Sequence, residues 1–106
     1  MNSLAMQIIL LFGDPNGVKI IELTGWNGIA LIVPRASIGN LKRLDESLNT
    51  TGIYFLFGDS EESDGQAVYI GESVSCISRL NSHNANKEFW NLAYLFIGTP
   101  SRKFLE

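Results

Sequence analysis

Two tyrosines, an arginine and a histidine in the second half of the chain could act together on a phosphate group. Tyr54 and Tyr69 lie in two apolar segments, and Arg79 and His83 lie in the helical pattern after the second segment. At about 100° per residue, positions 79 and 83 are one turn apart and share a helix face. An arginine can hold a phosphate through two donors. These four residues are the candidates for catalysis.

Two serines and two glycines are candidates for substrate binding. Ser73 and Ser75 lie where the helix is expected to begin, and the helix dipole favours an anion there. Gly52 and Gly71 would let the backbone approach a substrate where side chains would obstruct it. Spacing alone favours simpler roles, because charged helix faces are usually only solvated and strand tyrosines are usually core aromatics. The family resemblance described below changes that balance.

The first half of the chain predicts three strands. Apolar residues fill 6–12 and 18–23, and the turn formers of 13–17, which include Asn-Gly, lie between them. This pattern predicts a β-hairpin. After a second turn, residues 29–33 predict a third strand, which Pro34 ends.

A helix and a second hairpin follow. Ser37 can cap a helix that runs to about Leu48, with apolar residues at helical spacing, namely Ile38, Leu41, Leu44 and Leu48. Residues 52–57 and 66–70 predict two strands joined by the polar loop 58–65, which we expect to be mobile. Because a single loop joins these strands, an antiparallel pair is the simplest arrangement.

The last part of the chain predicts a helix and a strand. From Ser73 the apolar period becomes helical, with Val74, Ile77 and Leu80 in one stripe until residues 84–86 end it. A short turn or helix at 87–90 precedes a strand at 91–97. The order β-β-β-α-β-β-α-(α)-β indicates an α+β fold in which helices pack on an antiparallel or mixed sheet.

The two tyrosine segments resemble the GIY-YIG nuclease family. The chain reads Gly52-Ile53-Tyr54, then Tyr69-Ile70-Gly71, then Arg79 ten residues past Tyr69, and His83 falls where many members carry a histidine. The resemblance covers residues 52–97. Residues 1–48 resemble, more loosely, a β-rich leader that precedes this domain in some bacterial members.

The resemblance implies a fold, an activity and residue roles. Residues 1–50 would be a β-hairpin-rich leader with one helix that caps the nuclease sheet, and residues 51–106 a GIY-YIG endonuclease-like domain with a small sheet flanked by helices. The domain would hydrolyse DNA phosphodiester bonds with Mg²⁺ or Mn²⁺. In that reaction Tyr69 would be the base or activate the water, and Tyr54 would support it. Arg79 would stabilise phosphate charge, and His83 would assist proton transfer or phosphate contact.

The metal ligand is where the chain departs from the family. Members bind the ion through a glutamate on a helix beyond the third strand, and here only Glu106 follows at the chain's end, so we expect a C-terminally truncated nuclease domain. Glu106 and Glu72 are the weak candidates for a ligand. The alternative is a catalytically incomplete module on the same scaffold that binds nucleic acid or protein.

Composition limits the remaining classes. The 106-residue chain is 45% hydrophobic, but no apolar run is long enough to span a bilayer. Its one cysteine, Cys76, excludes an internal disulfide and fits a buried role in a reducing cytoplasm. The net charge of −3 does not exclude DNA, because four of the eleven acids lie in the 58–65 loop. Residues 1–48 could also form a homodimer contact.

Overall fold

Six antiparallel strands form one sheet. A computed structural model describes residues 4–60, 62, 64–87 and 89–98 of the chain. The strands are β1 (Met6–Leu10), β2 (Lys19–Leu23), β3 (Gly28–Pro34), β4 (Gly52–Asp59), β5 (Gln66–Ser73) and β6 (Trp90–Gly98). Their order across the sheet is β1-β2-β3-β6-β4-β5, and every neighbouring pair is antiparallel. The α+β class and both hairpins predicted from sequence are therefore confirmed.

The last strand of the described chain lies in the middle of the sheet. β6 pairs with β3 from Gly28↔Gly98 to Pro34↔Leu92, and on its other side it pairs with β4. The first three strands therefore join the sheet through the pairing of β3 with β6, and they do not form a separate layer that caps it. Residues 4–48 and 52–98 share one sheet.

Three short 3-10 helices and one α-helix complete the described elements. The 3-10 helices are Leu11–Gly13, Arg35–Arg43 and Glu46–Leu48, and the α-helix is α1 (Cys76–Asn86). The expectation of a single α-helix over 37–48 is wrong, because two 3-10 helices lie there. Leu44 is extended, and the Asp45 side chain accepts a hydrogen bond from the Ser47 amide at 2.9 Å, which begins a new turn.

The start and end of α1 also differ from expectation. The helix begins at Cys76 instead of Ser73, and Val74 is 77% exposed, so Val74 does not belong to the buried stripe. Ile77 and Leu80 are buried as expected, together with Cys76, which confirms the cysteine as a small core residue. The helix continues through residues 84–86, which were expected to end it.

The sheet has two distinct faces. On the covered face, alternate residues pack under the 3-10 helices and α1 in a core that includes Ile20, Leu31, Tyr54, Leu56, Trp90 and Leu95. The intervening residues form the open face, over which the described residues place no helix. Its exposed members include Met6, Ile8, Ile53, Val68, Ile70 and Phe96. The alternation is clear in β4, where Tyr54 and Leu56 are buried and Ile53 is exposed.

No helix among the described residues is long and apolar enough to cross a membrane.

Candidate functional site

The register between β4 and β5 brings the two tyrosine segments together. Tyr54 is directly opposite Gly71, and Leu56 is opposite Tyr69, so both tyrosines belong to the covered face. A Cβ atom at Gly71 would lie 2.3 Å from the Tyr54 ring and hydroxyl. Gly71 is therefore needed to seat the Tyr54 ring, and this role differs from the substrate contact expected for it.

His83 joins the two tyrosines from α1. The Tyr54 hydroxyl and His83 Nε2 are 2.9 Å apart, a hydrogen-bonding distance. The Tyr54 and His83 ring centroids are 5.2 Å apart, those of Tyr69 and His83 5.3 Å, and those of the two tyrosines 6.2 Å. Three of the four predicted catalytic residues thus meet at one point, which we call the tyrosine–histidine cluster (Tyr54, Tyr69 and His83).

Burial differs strongly within the tyrosine–histidine cluster. Tyr54 is 3% exposed and His83 is 8% exposed, whereas Tyr69 is 39% exposed. Arg79 and His83 lie one turn apart on α1 as expected, but they differ in burial, because His83 turns into the core and Arg79 remains exposed. Tyr69 is the member of the cluster that a substrate can reach.

Both buried members favour their neutral forms. Burial raises the pKa of Tyr54 above its ordinary value, and the neighbouring Tyr69 adds to this effect while the charge of Arg79 opposes it. Burial lowers the pKa of His83, and the positive charges of Lys87 and Arg79 lower it further. At neutral pH the structure therefore holds a protonated Tyr54 hydroxyl against an uncharged imidazole.

Two cations border the tyrosine–histidine cluster. Arg79 lies one turn before His83 on α1, and its charge lowers the pKa of both Tyr54 and His83. Lys87 Nζ lies 4.4 Å from the centroid of the Tyr69 ring, a cation–π contact. Sequence reasoning missed Lys87. The signal was available, because Arg79, His83 and Lys87 are each four residues apart.

The end of α1 that carries His83 is fixed by Arg35. Its guanidinium donates to the Asn84 carbonyl oxygen at 2.8 Å and to the Trp90 carbonyl oxygen at 2.9 Å. Trp90 Nε1 also donates to the His83 carbonyl oxygen at 3.3 Å. The C-terminal end of a helix favours a cation. These contacts hold His83 against β4 and β5.

The beginning of α1 is already occupied by the chain's own groups. The Cys76 amide donates to the Thr50 carbonyl oxygen at 3.1 Å, and the Ser78 amide donates to Asn49 Oδ1 at 3.0 Å. Ser73 Oγ accepts from the Ser75 amide at 3.0 Å, and the Ser75 side chain does not cap the helix. Fewer donors are therefore left for a phosphate at Ser73 and Ser75 than the sequence suggested.

Gly52 lies apart from the tyrosine–histidine cluster, near the start of β4. A Cβ atom there would lie 2.3 Å from the Phe96 carbonyl oxygen, so the glycine allows β4 and β6 to pack closely. Gly52, Ser73 and Glu72 line a groove at this end of the two strands. The predicted substrate-binding residues are thus divided between this groove and the cluster.

The carboxylates do not gather at the cluster. Glu72 is opposite Ile53, which places it on the open face, whereas Tyr54 and Tyr69 belong to the covered face. Within the described residues, no group of three histidine, cysteine, aspartate or glutamate side chains could hold a metal ion. Glu106 lies outside the described residues. The hydroxyls and imidazole that are present do not make the oxygen-rich carboxylate site that Mg²⁺ or Mn²⁺ prefers.

Comparisons of the chain with protein-family models, with curated proteins and with solved structures found no match.

Proposed function

We propose that this chain is a GIY-YIG-type endonuclease domain that hydrolyses DNA phosphodiester bonds at Tyr54, Tyr69, Arg79 and His83. The observation that carries the proposal is the meeting of Tyr54, Tyr69 and His83, whose ring centroids lie 5.2 to 6.2 Å apart. These residues come from three different elements, and two of them belong to the paired Gly-Ile-Tyr and Tyr-Ile-Gly triplets. A purely structural tyrosine pair would not require a buried imidazole between the strands and the helix.

In the proposed reaction Tyr69, Tyr54 and His83 relay a proton from a water molecule at the exposed Tyr69 to the buried His83. A water gives a proton to the Tyr69 hydroxyl oxygen, while the Tyr69 proton moves to the Tyr54 oxygen and the Tyr54 proton moves to His83 Nε2. The resulting hydroxide attacks phosphorus, and the bond from phosphorus to the leaving oxygen breaks. A second water gives a proton to the leaving oxygen on the opposite side of phosphorus, and the imidazolium returns its proton through Tyr54 and Tyr69 to the hydroxide that this water becomes. Tyr69 would thus activate the water, with Tyr54 supporting it.

Arg79 and Lys87 would bind the anionic substrate in this scheme. Burial lowers the pKa of His83, and the charges of Lys87 and Arg79 lower it further, so the imidazole is a weaker base than usual. A bound phosphodiester brings a negative charge that offsets these cations and raises the basicity of His83. Bound substrate would therefore make proton transfer to His83 easier, while burial would continue to lower the pKa of His83. Arg79 would also stabilise the charge that develops on the phosphate oxygens.

The resemblance to the GIY-YIG family implies Mg²⁺ or Mn²⁺ as the cofactor of the proposed reaction. When bound, such an ion would stabilise charge on the phosphate oxygens. The described residues do not form a site that fits it, as the position of Glu72 on the open face illustrates. The proton path above uses only side chains of this chain.

Cleavage of supercoiled plasmid in the presence of Mg²⁺ or Mn²⁺ tests the proposal. We expect Tyr69→Phe and Arg79→Ala to lower the cleavage rate by at least about 100-fold, the usual effect of removing a proton-transfer group or a charge-stabilising donor. Matched controls are Tyr94→Phe on the open face and Arg43→Ala, whose guanidinium stacks on Phe12. If all four variants cut at the wild-type rate, the site is wrong.

The second candidate is a DNA-binding module without cleavage. It is favoured by the absence of a metal-ligating group of three side chains in the described part of the chain. We would then expect DNA affinity that falls steeply with salt, no metal-dependent turnover, and a smaller salt slope for Arg79→Ala. Metal-dependent nicking that depends on Tyr69 would reject this candidate.

A further inference from the structure

The open face is apolar across the whole width of the sheet. Exposed apolar residues occur on both edge strands, where Met6 is 61% exposed and Ile70 is 58% exposed, and also in the interior, where Phe96 is 38% exposed. No described element covers this face. Contiguous apolar patches larger than a few hundred Å² usually mark interaction sites. The open face is therefore the strongest candidate for an interaction surface among the described residues.

Aromatic side chains form the centre of this face. Phe55 and Phe96 meet edge to face at a centroid distance of 5.7 Å, and Phe57 and Tyr94 meet in the same way at 5.2 Å. Phe55 also stacks with Phe57 at 6.3 Å. Aromatic residues are enriched in the buried centres of protein interfaces and supply much of their binding energy.

The charged residues on the open face lie at its margins. Lys19 begins β2, Asp59 ends β4, and Glu72 lies near the end of the edge strand β5. An apolar centre with a polar rim is the usual plan of a protein–protein interface. A nucleic acid would instead need cations at the centre, where Phe55 and Phe96 lie.

The dimensions of the face favour a second sheet as the partner. Six strands spaced by about 4.8 Å span about 29 Å, and strands of this length run for about 20 Å, so the flat footprint is on the order of 600 Å². This footprint is of the same order as the roughly 800 Å² that a standard interface buries on each partner. A single helix, about 10 Å wide, would leave more than half of this face exposed.

We propose that the open face is a homodimer interface in which the sheets of two copies pack face to face about a two-fold axis. A second copy presents a face of the same size and the same apolar centre. Sheets that pack in this way lie about 10 Å apart, with the side chains of the two faces interdigitated. The arrangement leaves both tyrosine–histidine clusters on the outer sides of the dimer.

Sedimentation velocity of the full chain across the micromolar range tests the proposal. We expect a dimer for the wild-type chain and for the control Asn81→Lys, which alters an exposed position on α1. Ile70→Lys and Phe96→Asp should weaken dimerisation by at least about 100-fold, because each would bury an unpaired charge. A wild-type monomer throughout the range overturns the proposal and points to a different occupant.

Tryptophan emission gives a readout that needs no charged variant. Trp26 lies at the margin of the open face and is 38% exposed, whereas Trp90 is buried in the core at 1%. Dilution of the dimer should therefore shift the emission of Trp26 to the red, and Trp26→Phe should abolish that shift. If Ile70→Lys and Phe96→Asp are folded by circular dichroism and still dimeric by sedimentation velocity, or if a wild-type dimer dissociates without the shift, the interface lies elsewhere.

Discussion

Alternate residues of the same strands form the two faces of the sheet, and the two faces differ in burial. On the covered face, Leu31 and Leu56 are fully buried under the helices. On the open face, the residues that alternate with them, such as Ile32 and Phe55, are half-buried and equally apolar. Most strands of an antiparallel sheet with one solvated face alternate between apolar and polar residues. Here both faces are apolar, so the strand pattern alone does not decide which face the helices cover.

The covered face differs from the open face at its edge. Where β5 ends the sheet, the covered face changes from aliphatic residues to Tyr69, His83 and the two cations Arg79 and Lys87. The open face remains apolar up to Ile70 in the same strand. Polar side chains are therefore concentrated where α1 meets the edge strand β5. This comparison leads to four predictions, given in order of decreasing effect.

Adjacent residues in β3 measure the difference between the faces directly. Leu31→Ala removes a fully buried side chain and should lower the free energy of unfolding by about 2–5 kcal/mol. Ile32→Ala, on the open face, should cost only about 1 kcal/mol in the monomer, because its side chain is already partly solvated. Urea unfolding at low protein concentration measures both. Equal losses would show that the open face is covered even in the monomer.

The close packing of Tyr54 on Gly71 gives the second prediction. Gly71→Ala places a methyl group 2.3 Å from the Tyr54 ring, and overpacking of this kind should destabilise the fold by about 1–3 kcal/mol. Gly39→Ala is the matched control, since a Cβ atom there meets nothing within 4 Å and should be neutral or slightly stabilising. Thermal unfolding compares the two variants. A neutral Gly71→Ala would mean that the Tyr54 ring is free to move.

The third prediction concerns pH and the chain's single histidine. Since the folded protein lowers the pKa of His83, the unfolded chain binds a proton near the ordinary value of about 6.5 while the folded chain remains neutral. Stability is therefore fully present above about pH 6.5 and declines as the pH falls below it. Urea unfolding at a series of pH values should show this decline in the wild type. His83→Gln should lose the histidine part of the decline, and an unchanged profile would contradict the burial of His83.

The cation–π contact at the edge of the covered face gives the smallest expected effect. Lys87→Met keeps the apolar stem but removes the charge over the Tyr69 ring, and it should cost about 0.5–1 kcal/mol. The same variant should raise the pKa of His83, because one of the charges that lowers it is gone. Histidine titration by NMR measures this change. Lys42→Met, on the 3-10 helix Arg35–Arg43, is the control and should leave the titration unchanged.

The sheet was predictable because its signals are local. The two apolar runs 52–57 and 66–70 joined by a single polar loop, and the turn formers before Val18, each indicate an antiparallel pair. The position of β6 between β3 and β4 was not predictable from such signals. It depends on long-range pairing such as Leu31↔Leu95. Neither strand contains a local sequence pattern that specifies its partner.

The helices were less predictable than the strands. Ile38, Leu41 and Leu44 are three residues apart, which suits the three residues per turn of a 3-10 helix as well as one side of an α-helix. The two helix types therefore share this pattern, and the cap at Asp45 accounts only for the separate turn Glu46–Leu48 that follows the break at Leu44. In α1, the pairing of Asn49 with Ser78 fixes the helix start beyond Val74, a tertiary contact that periodicity does not report.

Most members of the candidate site were predicted from the sequence, but Lys87 and the arrangement of the side chains were not. Tyr54, Tyr69 and His83 were chosen from motif letters, and the structure brings them together. Their burial depends on how far α1 tilts into the core, which the spacing of Arg79 and His83 cannot specify. The opposite placement of Glu72 follows from the strand alternation of β5, and that signal was present in the sequence.

The central position of β6 has a consequence for biosynthesis. While the ribosome extends the chain, the segments up to residue 34 and the β4–β5 hairpin emerge before the strand that both must pair with. Until residues 90–98 leave the exit tunnel, β3 and β4 each have an unpaired edge, because the strand that pairs with both of them is missing. The long-range contacts of the sheet cannot form before then. Nascent chains stalled before residue 90 should therefore be sensitive to protease and attractive to chaperones, whereas chains released after it should become resistant in a single step.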